Sequence, residues 1–181
     1  MEKSSGKEKP EDKSGNVSGG DGRNIEGEKI VRLADYLETT QWAKEFSFSQ
    51  ICQICEHVTP VKAKKGTVIF KEGDIEKSLG IIIKGAIDIY KSGVNEGNRI
   101  ATLNKSQTFG EMALVDGEPR SATGIAAQNS VIFFITRQEL IELFNESNRL
   151  GFKLLWKVSK IISQRLRNTT GMLVDYMEVD E

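Results

Sequence analysis

The stretch whose reading decides the fold is TFGEMALVDGEPRSATG, residues 108–124. A glutamate and an arginine stand nine residues apart in it, among three glycines and a proline. Gly110 precedes a miniature helix, Glu111 to Val115, whose first N–H groups and partial positive charge suit an anion. With no side chain, Gly110 lets the backbone approach a ligand closely. Arg120 supplies a planar fork of donors for phosphate oxygens that a lysine would not reproduce. Ser121 places a hydroxyl and a backbone N–H beside it. Glu111 would be repelled by phosphate, so it calls for a donor elsewhere on the ligand, and a ribose 2′-hydroxyl is such a donor. Phosphate and free hydroxyl together describe a 3′,5′-cyclic nucleotide. The plainer alternative is a surface ion pair between Glu111 and Arg120, worth about 0–1 kcal/mol.

Around this stretch the sequence reads as short strands. GTVIFKEGD (66–74), GIIIKGAIDIYKSG (80–93), RIATL (99–103), SATGIAA (121–127) and SVIFFIT (130–136) are rich in Val, Ile and Phe and are broken by Gly, Asn or Asp. Such spacing implies an antiparallel sandwich, barrel or roll. Ile83, Gly85, Ile87 and Ile89 alternate with Lys84, Ala86, Asp88 and Tyr90, which reads as one buried face. Helices flank the strands. Ile30, Leu33, Ala34 and Leu37 share a helical face, and a second short helix covers Ser49 to His57. Thr136 and Glu139 make a capping box for a helix over 137–145, and a long helix follows over Asn148–Tyr176. The fold class is therefore α+β: a jelly-roll-like antiparallel β-roll over 59–136, N-terminal helices before it, and C-terminal helices over 137–177 after it.

FGEMAL followed by PRSAT resembles the phosphate-binding cassette of the cyclic nucleotide-binding domain, the family of the catabolite activator protein and of the regulatory subunits of cAMP-dependent protein kinase. KKGTVIFKEGD and IIIKGAIDIY, with Gly66, Gly73 and Gly85, resemble its opening roll strands, and the resemblance spans about residues 45–170. It implies that Gly110 and Glu111 contact the ribose and Arg120 the cyclic phosphate. Ala113 and Ser121 would reach the phosphate through backbone amides, with Met112 and Ala122 completing the cassette set. QRLRNTTGML resembles the family's C-terminal helix, which implies that Thr169 and Thr170 reach the base. Hydroxyls can serve adenine or guanine, so cAMP is favoured over cGMP only by the resemblance, and a cyclic dinucleotide stays open. Gly80 departs from the family, in which many members carry an aromatic residue there.

The long helix carries a second pattern. Leu155, Ser159, Ile162, Leu166, Thr169, Leu173 and Tyr176 follow alternating steps of four and three, a heptad seam that favours a homodimer through this helix over the alternative of a single amphipathic helix packed on its own β-roll. Six cations and no acid lie between residues 147 and 174. A solvated helix face explains them, and a docking surface for an acidic effector protein is the sharper reading.

Composition sets the outer limits. The chain has 181 residues, is 38% hydrophobic and carries a net charge of −1, so no global field recruits nucleic acid or an anionic membrane. Its longest apolar run is five residues, VIFFI, against about 20 for a membrane span. Residues 1–28, with six glycines, four serines and twelve charges, read as a disordered polar tail, leaving 29–181 as the folded domain. Cys52 and Cys55 fall at helical spacing and suit core packing. With His57 they make only three ligands of the four that structural zinc needs, so no metal is expected. His57 has no evident partner in sequence. The eleven residues after Thr170 leave no room for a DNA-reading module, and no metal cluster supports a phosphodiesterase. The expectation is a non-enzymatic, cytoplasmic receptor module; an interaction scaffold with a vestigial pocket is the alternative.

Overall fold

In a computed structural model, which describes residues 21–92 and 98–179, Gly85 divides what the sequence presents as one strand. β1 (Thr59–Ala63), β2 (Val68–Phe70), β3 (Ser78–Lys84) and β4 (Ala86–Lys91) are followed by β5 (Asn98–Asn104), β6 (Thr108–Phe109), β7 (Thr123–Ala126) and β8 (Ser130–Thr136). They form two antiparallel sheets, ordered β1-β8-β3-β6 and β2-β7-β4-β5. Gly85 lies between β3 and β4 with φ 91°, a conformation that costs a residue with a Cβ about 1–2 kcal/mol. A Cβ there would also meet Ser130 Oγ at 2.2 Å. The chain turns at this residue from one sheet into the other.

That corner corrects the expected alternation. Ser78 to Ile83 are all buried, because both faces of β3 are covered. Leu79, Ile81 and Ile83 pack towards the helices, while Ile82 joins Phe70, Ile87, Phe109 and Ile132 inside the roll. Ala86, placed on the polar side by simple alternation, is buried. Period-two reasoning fails here because it assumes one solvated face, and β3 has none. The short strands β1 and β6 carry no hydrophobic run of their own. They are strands through their pairing with β8 and β3.

Helices cover one side. α1 (Asp21–Glu38) and α2 (Phe48–Glu56) precede the roll, with a 3-10 turn at Gln41–Ala43 between them. α3 (Glu111–Val115) interrupts the strands, and α4 (Arg137–Glu146) and α5 (Asn148–Val179) close the chain. Reciprocal capping boxes, Ser47 with Gln50 and Thr136 with Glu139, start α2 and α4. The second was legible in the sequence. α1 takes in residues 21–28, part of the stretch expected to be disordered; residues 1–20 lie outside the described residues. Ala34 and Leu37 of α1 are fully buried, with Ile30 and Leu33 packed against the same core.

The lone histidine has a partner after all. His57, at the end of α2, lies 2.9 Å by Nε2 from Oε2 of Glu146, at the end of α4. The two are 89 residues apart, so no local pattern could pair them. The cysteines pack as expected. Cys55 is buried in the helical core and Cys52 is half-buried, both as free thiols. Burial pushes the Cys55 thiol up to about 12, with Cys52 and Glu56 adding to the effect.

Candidate functional site

The cassette forms where β6 leads into α3. Gly110 caps α3 with φ 82° and ψ 12°, left-handed, so the turn needs a glycine. Space requires it too. A Cβ at Gly110 would stand 1.8 Å from Nη1 of Arg120 and 2.3 Å from the Ser78 carbonyl oxygen. Glycine is thus what lets the arginine lie across the backbone at this point.

Arg120 is only 3% exposed. Its Nη2 donates to Oγ of Ser78 at 2.8 Å, and its guanidinium carbon sits 4.9 Å from the centre of the Phe70 ring. Nε and Nη1 are buried with no hydrogen-bond partner. Burial pushes the guanidinium below its ordinary pKa, and the carboxylates of Glu76, Glu111 and Asp74 pull the other way. Each unmet buried donor costs about 1–3 kcal/mol, so this arginine is poorly matched to its surroundings as they stand. An anion beside Nε and Nη1 would satisfy both.

Glu111 is 2% exposed, and both its oxygens are engaged. Oε1 accepts from the Thr108 hydroxyl, and Oε2 accepts from Nη1 of Arg165 at 2.6 Å. Nη2 of Arg165 also donates to the Thr108 carbonyl. The long helix therefore already leans on the cassette through one arginine. A carboxylate offers about four acceptor positions, so Glu111 retains capacity for a further donor.

The other expected residues divide into two groups. Ala113 and Ala122 are buried, Ser121 is exposed, and Met112 is 55% exposed beside them on α3. A bond from Nζ of Lys91 to the Ser121 carbonyl oxygen, at 2.7 Å, ties the cassette to the end of β4. Lys91 also donates to Glu72, and that bond, together with those from Ser92, pulls the Glu72 carboxyl down to about 2. Thr169 and Thr170 stay apart from this group. Both are exposed, and the Thr170 hydroxyl donates to the Leu166 carbonyl of its own helix.

Four contributors escaped sequence reasoning: Thr108, Arg165, Ser78 and Glu76. Arg165 was grouped with a solvated cationic face, yet it stands four residues before Thr169 and so shares its side of the helix. That spacing was the available signal. The cationic run itself is only partly free. Lys153 bonds to Gln50 and to the Glu45 carbonyl, Lys157 pairs with the Glu45 carboxylate, and both lie over the Phe46 ring. Arg149, Lys160 and Arg167 remain exposed. Gly80 also finds its reason, because the Phe109 ring fills the space where its Cβ would be, 2.2 Å away. Phe109 then stacks on Phe70 at 5.1 Å. An aromatic ring from β6 occupies the roll at this point.

Among the described residues, no three His, Cys, Asp or Glu side chains gather as metal ligands do. No helix there is long and apolar enough to cross a membrane.

Comparison with known proteins bears on this geometry. A cAMP-dependent protein kinase regulatory subunit from Debaryomyces hansenii is 26% identical over 155 residues, covering 83% of this chain and 33% of the yeast protein. The Cyclic AMP receptor protein of Thermus thermophilus is 25% identical over 118 residues, covering 65% of this chain and 52% of that one. The chain thus spans a third to a half of these relatives. Among solved structures, a cyclic nucleotide-binding domain from Methylobacillus flagellatus superposes with a TM-score of 0.71 at 22% identity, covering 83% of this chain and 85% of the other, a likeness of fold. Residues 60–147 match the profile of the cyclic nucleotide-binding domain. The β-roll and cassette of this chain, residues 60–147, belong to the cyclic nucleotide-binding domain family.

Proposed function

We propose that residues 29–181 form a non-enzymatic, cytoplasmic receptor module that binds cAMP in the cassette and signals to a protein partner through α5. One observation carries this reading: the buried Arg120 guanidinium, with Nε and Nη1 unpartnered beside Gly110. A cyclic phosphate there would supply the missing acceptors and a countercharge. Glu111 accepts the ribose 2′-hydroxyl, and the amides of Ala113 and Ser121 support the phosphate. Thr169 and Thr170 reach the base once α5 closes over the roll. Arg165 already joins α5 to Glu111, and a ligand that contacts both cassette and helix favours the closed arrangement. Leu166 and Leu173 of the heptad seam are 66% and 59% exposed, which supports pairing of two copies through α5.

The test is calorimetric titration with cAMP, cGMP and cyclic dinucleotides, joined to hydrogen exchange across residues 160–177. Binding of cAMP with added protection on α5 is the expected result. A second reading, a scaffold with a vestigial pocket, draws on the internal engagement of both Glu111 oxygens. Silence towards every ligand would favour it. Binding with unchanged exchange would leave a binding module without a switch.

A further inference from the structure

Arg120 is held from behind by a chain of two further residues. Nη2 donates to Ser78 Oγ at 2.8 Å, and that hydroxyl donates in turn to Oε1 of Glu76 at 2.7 Å. Ser78 is fully buried at the start of β3, whereas Glu76 is exposed. A serine hydroxyl has a single proton. With that proton committed to Glu76, the oxygen can present only lone pairs to Arg120. The hydroxyl therefore pins Nη2 and leaves Nε and Nη1 as the unpartnered groups. The same serine meets the cassette through its backbone, since its carbonyl oxygen lies 2.3 Å from where a Cβ on Gly110 would stand.

Charge points the same way. Of the carboxylates that oppose the effect of burial on Arg120, Glu76 has the largest influence, ahead of Glu111 and Asp74. Glu111 is also committed to Arg165 and Thr108, while Glu76 lies exposed at the surface. Neither Glu76 nor Ser78 belongs to the cassette in sequence, and they lie 44 and 42 residues before Arg120.

We propose that Glu76 and Ser78 are a positioning pair for the phosphate arginine: Ser78 fixes the plane of the guanidinium, and Glu76 orients the Ser78 hydroxyl and balances the cation before ligand arrives. The pair then sets which exocyclic oxygen of the cyclic phosphate is preferred. Its effect on ligand choice rests on the receptor reading above; its effect on the arginine does not.

The experiment uses the two diastereomers of adenosine 3′,5′-cyclic phosphorothioate, in which sulfur replaces one exocyclic oxygen or the other. Wild type discriminates between them. Ser78→Ala lowers that affinity ratio by about tenfold to a hundredfold, the scale of one hydrogen bond to a charged group. Ser78→Thr, which keeps a hydroxyl, holds the ratio within about twofold. Glu76→Ala lowers the ratio as Ser78→Ala does. Glu76→Gln can still accept from Ser78, so it keeps the ratio and changes the affinity for both diastereomers alike. A ratio unmoved by both Ser78→Ala and Glu76→Ala overturns the proposal. Nitrogen-15 NMR of the Arg120 side chain gives a readout without nucleotide: rotation about the Nε–Cζ bond is slow in wild type and faster in Ser78→Ala. If wild type binds neither diastereomer, the receptor reading fails while this measurement still judges the positioning pair, and equal rotation rates in the two proteins would overturn it.

Discussion

Replacing Arg120 with methionine should separate stability from binding, because the structure sets the two in opposition. Methionine is unbranched, flexible and apolar, and it can fill much of the arginine's path against Phe70. Without ligand, the variant loses the bond to Ser78, about 1.5–3 kcal/mol for a charged donor, and the contact over the Phe70 ring, about 0.5–2 kcal/mol. It is relieved of two buried donors without partners, each costing about 1–3 kcal/mol. Losses of about 2–5 kcal/mol thus meet relief of about 2–6 kcal/mol, and the ligand-free fold should change by no more than a couple of kcal/mol. Binding has no such offset. Removing the cation leaves the phosphate in a desolvated site unpaired, a loss of about 2–5 kcal/mol, or about thirtyfold to four-thousandfold in affinity. Urea denaturation of the free protein reads the first quantity, and calorimetry with cAMP reads the second. The reasoning is refuted if Arg120→Met destabilises the free protein by more than about 3 kcal/mol while binding cAMP within about threefold of wild type. That pattern would make Arg120 a structural residue.

Other outcomes follow from the same geometry. Gly110→Ala drives a methyl into Arg120 Nη1 and the Ser78 carbonyl at a left-handed φ, so it should lower stability by more than about 1–2 kcal/mol and abolish nucleotide binding. Gly171→Ala meets nothing within 4 Å and should instead raise helix stability by about 1 kcal/mol, seen as slower exchange around residue 171. If Glu111 receives the ribose hydroxyl, 2′-deoxy-cAMP binds wild type more weakly than cAMP, and Glu111→Gln discriminates little between them; equal affinities in wild type would remove the carboxylate from the site. The raised Cys55 pKa favours the neutral thiol in the fold, so its contribution is present below pH 9.0 and is lost as pH rises towards about 12. At pH 8 a thiol reagent should therefore label Cys52 faster than Cys55, which reacts only on unfolding, and comparable rates for both would contradict the burial.

Local terms in the sequence decided more than the element types. The miniature helix at Glu111–Val115, the Thr136–Glu139 capping box and the long final helix all stand where periodicity and capping placed them. The cassette was legible for the same reason. Gly110, Glu111 and Arg120 lie within eleven residues, so their chemistry is written in one stretch of chain. Tertiary structure decided whatever joins distant segments or covers a second face. β3 is buried on both sides only because helices and roll close over it, and β6 is a strand only because β3 pairs with it. Arg165 reaches Glu111 across 54 residues, and His57 meets Glu146 across 89. The Arg120 guanidinium is buried, with two donors unpartnered, only because the roll packs around it. Propensity, capping and alternation are interactions between near neighbours and can be read along the chain. Burial and charge pairing depend on what lies across space, and they arise only when the two sheets and α5 have come together.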